Sequence, residues 1–330
     1  MTSATYDVIG VGNAIVDVLS PAQDAFLAQH GLDKGMMTLI DTERARALYS
    51  AMGPGVEVSG GSAANTLAGI ASLGGTGAYI GKVRNDTLGG VFSHDINAVG
   101  VDFRTAPATD GESTARCLIF VTPDAQRTMQ TYLGISVTLG PDDIDEGAVG
   151  DSLIAYLEGY LFDPPEAKKA FVKASEAAHA AGRKVALTLS DPFCVDRHRD
   201  SFMHLISGHV DIVFANEAEI KSLFRVDDFD DALQRIRGHC EIAALTRSEK
   251  GSVIVAGDEI HVVDAAPVAR VIDTTGAGDL YAAGFLYGLT HGRNLHDCGR
   301  IGGLCAAEVI GHYGARPEAS LRKLLADSGI

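Results

Sequence analysis

The chain has no excess of positive charge. Its 330 residues carry 27 Lys and Arg against 43 Asp and Glu, a formal net charge of −16. That balance excludes a general nucleic-acid-binding or anionic-membrane surface, and an anionic substrate would need a local positive site. Paired cysteines are also missing. Cys117, Cys194, Cys240, Cys298 and Cys305 are scattered, with no CxxC spacing. An odd, unpatterned set excludes a disulfide scaffold and indicates reduced thiols in a cytoplasmic protein. No apolar run of about 18 residues occurs, so no helical membrane span is expected. The N-terminal MTSATYDVIGVGNAIVDV has no basic region before its apolar run, so it is not expected to be a signal peptide. Repeats and low-complexity segments are absent too. What is present is a globular mixture, 46% apolar and 21% charged. It suffices for a sizeable core in one large domain or two unequal ones.

Strand-like and helix-like stretches alternate along the chain. Buried strands are expected near 6–12, 77–81, 153–158, 184–190, 210–214 and 242–246, with two short strands at 252–256 and 259–263. Helices are expected at 42–52, at 62–73 with Ser62 as its cap, and at 87–99, 165–181 and 216–224. Three more, at 276–290, 295–310 and 318–327, close the chain. Strands separated by helices of this length imply an α/β fold, three layers deep, with a mostly parallel central sheet covered on both faces. Two regions break the rhythm. Residues 14–40 and 103–135 hold short alternating strands, with a hairpin around Pro123-Asp124. They read as insertions into a single domain, 1–330, forming a small antiparallel β lid over the carboxyl ends of the main strands.

The most informative stretch is Asp273-Thr274-Thr275-Gly276-Ala277-Gly278-Asp279, after the apolar run 267–272 and opening a helix. Helix-start N–H groups are unpartnered and partly positive, so glycines there let a phosphate approach. A carboxylate beside such a hole repels phosphate. Its presence makes sense if Asp279 takes a proton from an attacking hydroxyl. A plain glycine turn with a favourably placed acid remains the alternative. Other phosphate motifs fail. Gly10-Val11-Gly12 is followed by Ile15 where a dinucleotide loop needs glycine. Gly81-Lys82 lacks both the earlier glycine and the following Ser or Thr of a Walker loop. HExxH, zinc spacings and GxSxG are absent, and the 11 histidines are dispersed.

DTTGAGDLYAAGFLYG resembles the C-terminal signature of the PfkB (ribokinase-like) family of carbohydrate and nucleoside kinases. Gly60-Gly61-Ser62-Ala63-Ala64-Asn65-Thr66 resembles its N-terminal glycine signature. Asn216-Glu217-Ala218-Glu219 fits its NxxE motif, and Leu245–Gly251 resembles its nucleotide-side turn. All four occur in the family's order over nearly the whole chain. The resemblance implies a ribokinase-like fold and ATP-dependent phosphorylation of an alcohol. In that reading Asp279 is the general base, and N–H groups around Gly276, Ala277 and Gly278 hold the moving phosphoryl charge. Thr246 and Gly251 lie on the nucleotide side. Asn216 and Glu219 support Mg²⁺ through water, although the same pair could be a capping box. Asp273 and Thr275 would hold a monovalent cation, K⁺.

On the substrate side, Gly60 and Gly61 would let backbone approach a polyol, with Asn65 one turn into the helix. Asn13 and Asp17 are either a turn residue and an exposed strand residue or ligands of neighbouring hydroxyls. The spacing GNxxxD resembles the adenosine-kinase branch. So does the stretch from Arg127, either a solvated hairpin arginine or the branch's lid arginine at the phosphates. Tyr160 is a candidate to stack on a base, or a core residue. These features imply a small-molecule partner, a nucleoside such as adenosine or else a free sugar, and a monomer or homodimer. A nucleoside-binding regulator without turnover is the reading from another class.

Overall fold

A computed structural model describes residues 4–124, 126–162 and 164–330. Met1–Ser3, part of the N-terminal stretch read above, Ala125 of the expected hairpin, and Asp163 lie outside the described residues. The chain opens with β1 (Tyr6–Val11), β2 (Ile15–Pro21), α1 (Asp24–Gln29), β3 (Met37–Leu39), α2 (Thr42–Ala51) and β4 (Val56–Gly60). It continues through α3 (Ser62–Leu73), β5 (Gly77–Ile80), α4 (Thr87–Ala98), β6 (Val101–Phe103), β7 (Ala115–Val121) and β8 (Arg127–Tyr132). Then come α5 (Glu146–Gly150), β9 (Ser152–Glu158), α6 (Pro165–Ala180), β10 (Lys184–Thr188), α7 (Pro192–His209), β11 (Ile212–Asn216) and α8 (Glu217–Phe224). The last third holds α9 (Phe229–Ile236), β12 (Ile242–Thr246), β13 (Ser252–Ala256), β14 (Glu259–Val263), α10 (Ala277–Thr290), α11 (Leu295–Val309) and α12 (Leu321–Ser328).

Nine strands form the central sheet in the order β14-β13-β12-β11-β10-β9-β1-β5-β6. From β12 to β6 all neighbours are parallel; β13 and β14 add an antiparallel edge. The apolar runs of β9 to β12 suit this, because a parallel strand is buried on both faces. One face packs Leu67 and Ile70 of α3, Phe285 of α10, Ile301 of α11 and Leu321 of α12. The other packs Phe171 of α6, Phe202 of α7, Ile220 of α8 and Leu233 of α9. The expected three layers are present.

The lid is a second sheet, ordered β3-β8-β7-β2-β4. Pairs β7–β8 and β2–β4 are antiparallel; β2–β7 and β3–β8 are parallel. The parallel pairs follow from assembling strands contributed by separate insertions. β4, not expected as a strand, runs straight from the lid into Gly60-Gly61. α7 was not expected either: its charged run DRHRD hides the apolar period, and the helix departs from helical geometry at His198 (φ −125°). The apolar run 267–272 before DTTGAGD forms no strand, and Val271 and Ile272 are exposed.

Candidate active site

Because the central strands are parallel, their carboxyl ends share one edge. Asn13, Glu158, Asp191, Asn216 and Thr246 all stand there, with the start of α10. Gly276 is the N-cap of α10, at φ 79°. A Cβ at that position would lie 2.7 Å from the Ala315 Cα, so only glycine fits on two counts. A Cβ on Gly278 would meet open space. Among the described residues, the N–H groups of Gly276, Gly278 and Asp279 have no acceptor. The Ala277 N–H instead donates to the Thr274 carbonyl at 3.2 Å. Of the expected N–H donors, Ala277 is thus engaged by the turn, and the Asp279 N–H stands unpartnered beside those of Gly276 and Gly278.

Asp279 accepts from Ser62 Oγ at 2.6 Å and from Asn65 Nδ2 at 3.0 Å. Burial raises its pKa, opposed by those two donors and by the Arg316 charge. Ser62, expected to cap α3, is its first residue; Gly61 is the N-cap. Gly61 sits at φ 99°, and any Cβ there would collide with the Asn13 carbonyl. Glycine offers no capping side chain, and Glu158 supplies the cap from across the sheet. Its Oε2 accepts from the Ala63 N–H at 2.9 Å, and its Oε1 from Asn13 Nδ2 at 2.9 Å. Burial pushes this carboxyl up to about 7 despite those donors.

Asn13 is fully buried, its amide divided between Glu158 and the Ser136 hydroxyl, which donates to Oδ1 at 2.9 Å. It lines the site wall, with one amide N–H and the amide oxygen engaged by protein groups. Asp17, on β2, is different. No protein donor among the described residues reaches its carboxylate, which lies over the backbone of Gly60; a Cβ there would be 2.5 Å from Oδ2. Burial pushes Asp17 up to about 6, Arg127 and Arg316 hold it down, and Asp279 pushes it up. Asp17, Gly60, Gly61, Asn65 and Asp279 thus lie together on one side of the site.

Arg127, on β8 of the lid, is 8% exposed and ion-paired to Asp273; its Nη1 is 3.1 Å from Thr275 Oγ1. It is no solvated hairpin residue. Asp273 Oδ1 accepts from Thr275 N–H (3.0 Å) and Oγ (2.6 Å), and Oδ2 from the Gly314 N–H (3.1 Å). Burial alone would raise the Asp273 pKa, but these donors and the Arg127 charge lower it. Both carboxylate oxygens of Asp273 are engaged and a guanidinium already supplies the positive charge. The arrangement does not fit a monovalent cation at this carboxylate.

Asn216 and Glu219 form the capping box: Glu219 N–H donates to Asn216 Oδ1 at 2.9 Å, and Glu219 Oε2 accepts from Asn216 N–H at 2.9 Å. Burial pushes Glu219 up to about 7; its Asn216 donors oppose this and the Asp191 carboxylate adds to it. Two carboxyls close enough to raise each other's charge cost suit a hydrated divalent metal. Among the described residues no three His, Cys, Asp or Glu side chains could enclose a metal directly. Thr246 ends β12. Gly251, at φ 77°, turns under the Val263 carbonyl, where no side chain fits.

Two aromatics face solvent at the same edge. Tyr160 is 40% and Phe193 75% exposed. Their loops touch: Tyr160 N–H donates to Ser190 Oγ at 3.0 Å, and Cys194 Sγ lies 3.2 Å from the Gly159 carbonyl. Ser190 holds a left-handed conformation, φ 71°. Tyr160 is therefore no core residue.

The model of the pfkB family carbohydrate kinases matches residues 35–321. The chain belongs to this family. Its fold matches a crystal structure of adenosine kinase from Sinorhizobium meliloti at 53% identity and TM-score 0.91, covering 98% of this chain and 100% of that one. A probable sugar kinase from Rhizobium etli is similar at 52% identity and TM-score 0.91, with 99% of each chain covered. Adenosine kinase of Saccharomyces cerevisiae is 26% identical over 333 residues, 94% of this chain and 96% of the relative. The protein is thus a sugar or nucleoside kinase of PfkB type, a family that uses ATP and a divalent metal on small-molecule substrates. Among the described residues no helix is long and apolar enough to cross a membrane.

Sequence reasoning did not single out Glu158, Arg316 or Phe193, nor the contact of Ser62 with Asp279. Glu158 had a readable signal, a carboxylate ending the apolar run LIAYL. Arg316 lies in the loop after α11 and Phe193 on the first turn of α7, and what each side chain meets is set by the tertiary fold.

Proposed function

We propose that the protein transfers the γ-phosphoryl group of ATP to the primary 5′ hydroxyl of a nucleoside, and that adenosine, giving AMP, is its substrate. The observation that carries this reading is Asp17. An acceptor without a protein donor, close to Asp279, suits two neighbouring ribose hydroxyls. Asp279 accepts the 5′ hydroxyl proton as that oxygen attacks the γ-phosphorus. The bond from phosphorus to the bridging oxygen breaks, and ADP leaves with the electron pair. The unpartnered N–H groups of Gly276, Gly278 and Asp279 hold the charge of the moving group, and Arg127 closes the lid over the same turn. Asn216 and Glu219, with Asp191, would hold hydrated Mg²⁺, which neutralises phosphate charge. Thr246 and Gly251 shape the nucleotide side.

Tyr160 and Phe193 offer a platform for a purine. An already phosphorylated sugar is disfavoured, because Asp17, Asp279 and Glu158 cluster on the substrate side and Arg127, the other nearby cation, is already paired with Asp273. The adenosine kinase of S. meliloti at 53% identity supports the same substrate; the R. etli relative supports the sugar-kinase alternative. A silent nucleoside-binding regulator is disfavoured by an intact base beside free N–H donors. The test is a panel of adenosine, other nucleosides, ribose, fructose and fructose phosphates, scored by kcat/KM. Preference for a free sugar overturns the adenosine reading. ATP consumption with none of them favours the silent binder.

A further inference from the structure

The loop after α11 carries Arg316 back into the substrate side, 251 positions from its partner on α3. Its guanidinium is mostly buried and spans two elements. Nε donates to Asn65 Oδ1 at 2.8 Å. Nη2 donates to the Ser59 carbonyl at 2.8 Å and to Ser59 Oγ at 2.9 Å. Ser59, at the root of the lid strand β4, is itself fixed by α4: its N–H and Oγ donate to Asp95 Oδ2 at 2.7 and 2.6 Å. A continuous path therefore runs from Asp95 through Ser59, Arg316 and Asn65 to Asp279.

The path has a direction set by chemistry. A guanidinium can only donate, so Asn65 must present its oxygen to Arg316. The amide nitrogen is then left pointing at Asp279, to which it donates at 3.0 Å. The flipped amide would set oxygen against carboxylate and N–H against N–H, losing both bonds. We propose that Arg316 is a positioning residue for phosphoryl transfer: anchored on Ser59, it locks the Asn65 amide in the orientation that holds Asp279. A lysine, a single point of charge, cannot span Asn65 and Ser59 with the same fixed fork.

Charge adds to geometry. Asp279 is faced by Ser62 and Asn65 of α3, Asp17 of β2, Tyr156 and Glu158 of β9, Tyr160 of the following loop, and Arg316. Arg316 is the one cation in that set. Removing it leaves three carboxyls together and moves the ionisation of Asp279 to higher pH.

The inference rests on Asp279 being the base, and the test separates the two. Wild type, D279N, R316M, R316Q and R316K are compared for adenosine binding by calorimetry, for kcat and KM, and for the pH profile of kcat/KM. R316M is expected to lose about 100-fold in kcat, as misplacement of a reacting group does, with adenosine affinity changed only a few-fold. The acid limb of the profile moves to higher pH, R316K recovers part of the rate, and added guanidinium ion rescues R316M. If R316M does not fold, R316Q and R316K are judged by the same readouts. A folded variant with normal kcat and an unmoved acid limb overturns the proposal. So does a rate loss matched by loss of binding with an unmoved limb, which marks a purely structural arginine. Normal turnover in D279N refutes the base assignment instead; an inactive D279N beside a normal R316M refutes only the role of Arg316.

Discussion

Asp17 should cost the protein stability. Folding raises its pKa from 3.8 to about 6, chiefly through burial. One pKa unit corresponds to about 1.4 kcal/mol, so keeping Asp17 ionised in the fold costs at most ~3 kcal/mol at neutral pH. The side chain retains some exposure, which brings the figure nearer 1–2 kcal/mol. The sign follows from proton binding. Between pH 3.8 and about 6 the folded state holds the proton more tightly than the unfolded chain, so this group's contribution to stability falls as pH rises through that window. Above about 6 the full penalty applies; below 3.8 it vanishes. Asp17→Asn keeps the shape and removes the charge. It should raise the unfolding midpoint by roughly 1–3 °C at pH 8 and leave it nearly unchanged at pH 4. It should also raise KM for adenosine, because the amide can accept fewer hydroxyl bonds. Denaturant or thermal melts of both proteins at pH 4, 6 and 8 measure the effect. Equal stabilisation at all three pH values, or destabilisation at pH 8, refutes a strained carboxylate waiting for hydroxyl donors.

Asp279→Asn should reduce kcat by at least about 100-fold while adenosine still binds, which stopped-flow or calorimetric titration can check. Gly61→Ala must place a Cβ against the Asn13 carbonyl at φ 99°; it should destabilise the fold by about 2 kcal/mol or more in denaturant melts. Tyr160→Ala and Phe193→Ala should each raise KM for adenosine by about 10-fold, the scale of stacking on a base, with little effect on any turnover of ribose. Exchange of K⁺ for Na⁺ or choline should leave kcat within about two-fold, since Arg127 occupies Asp273; a strong K⁺ requirement would reverse that reading.

The alternation of short apolar runs with helical segments exposed the layers of the fold, because parallel strands buried on both faces must be apolar throughout. It could not expose α7, whose period is interrupted by charge, or β4, whose pairing partner lies in another insertion. In the site, glycines were readable for the same reason that they are there. Gly276 and Gly61 occupy conformations and contacts that no other residue tolerates. The roles of neighbours were less readable, because a side chain's partner is set in space. Ser62 had the chemistry of an N-cap, yet Gly61 took that position and freed the hydroxyl for Asp279. The cap that glycine could not give came from Glu158, 95 positions away. One local constraint, the close passage of Gly61 under Asn13, thus accounts for two features that no local reading separates. It explains a buried acid at the end of β9 and a serine donating to the base. If that account holds, Glu158→Gln should weaken α3 at its start, and Ser62→Ala should act on Asp279 alone. Hydrogen exchange at Ala63 and Ala64 separates the two: faster in E158Q, unchanged in S62A. Faster exchange in both would mean that Ser62 still serves the helix.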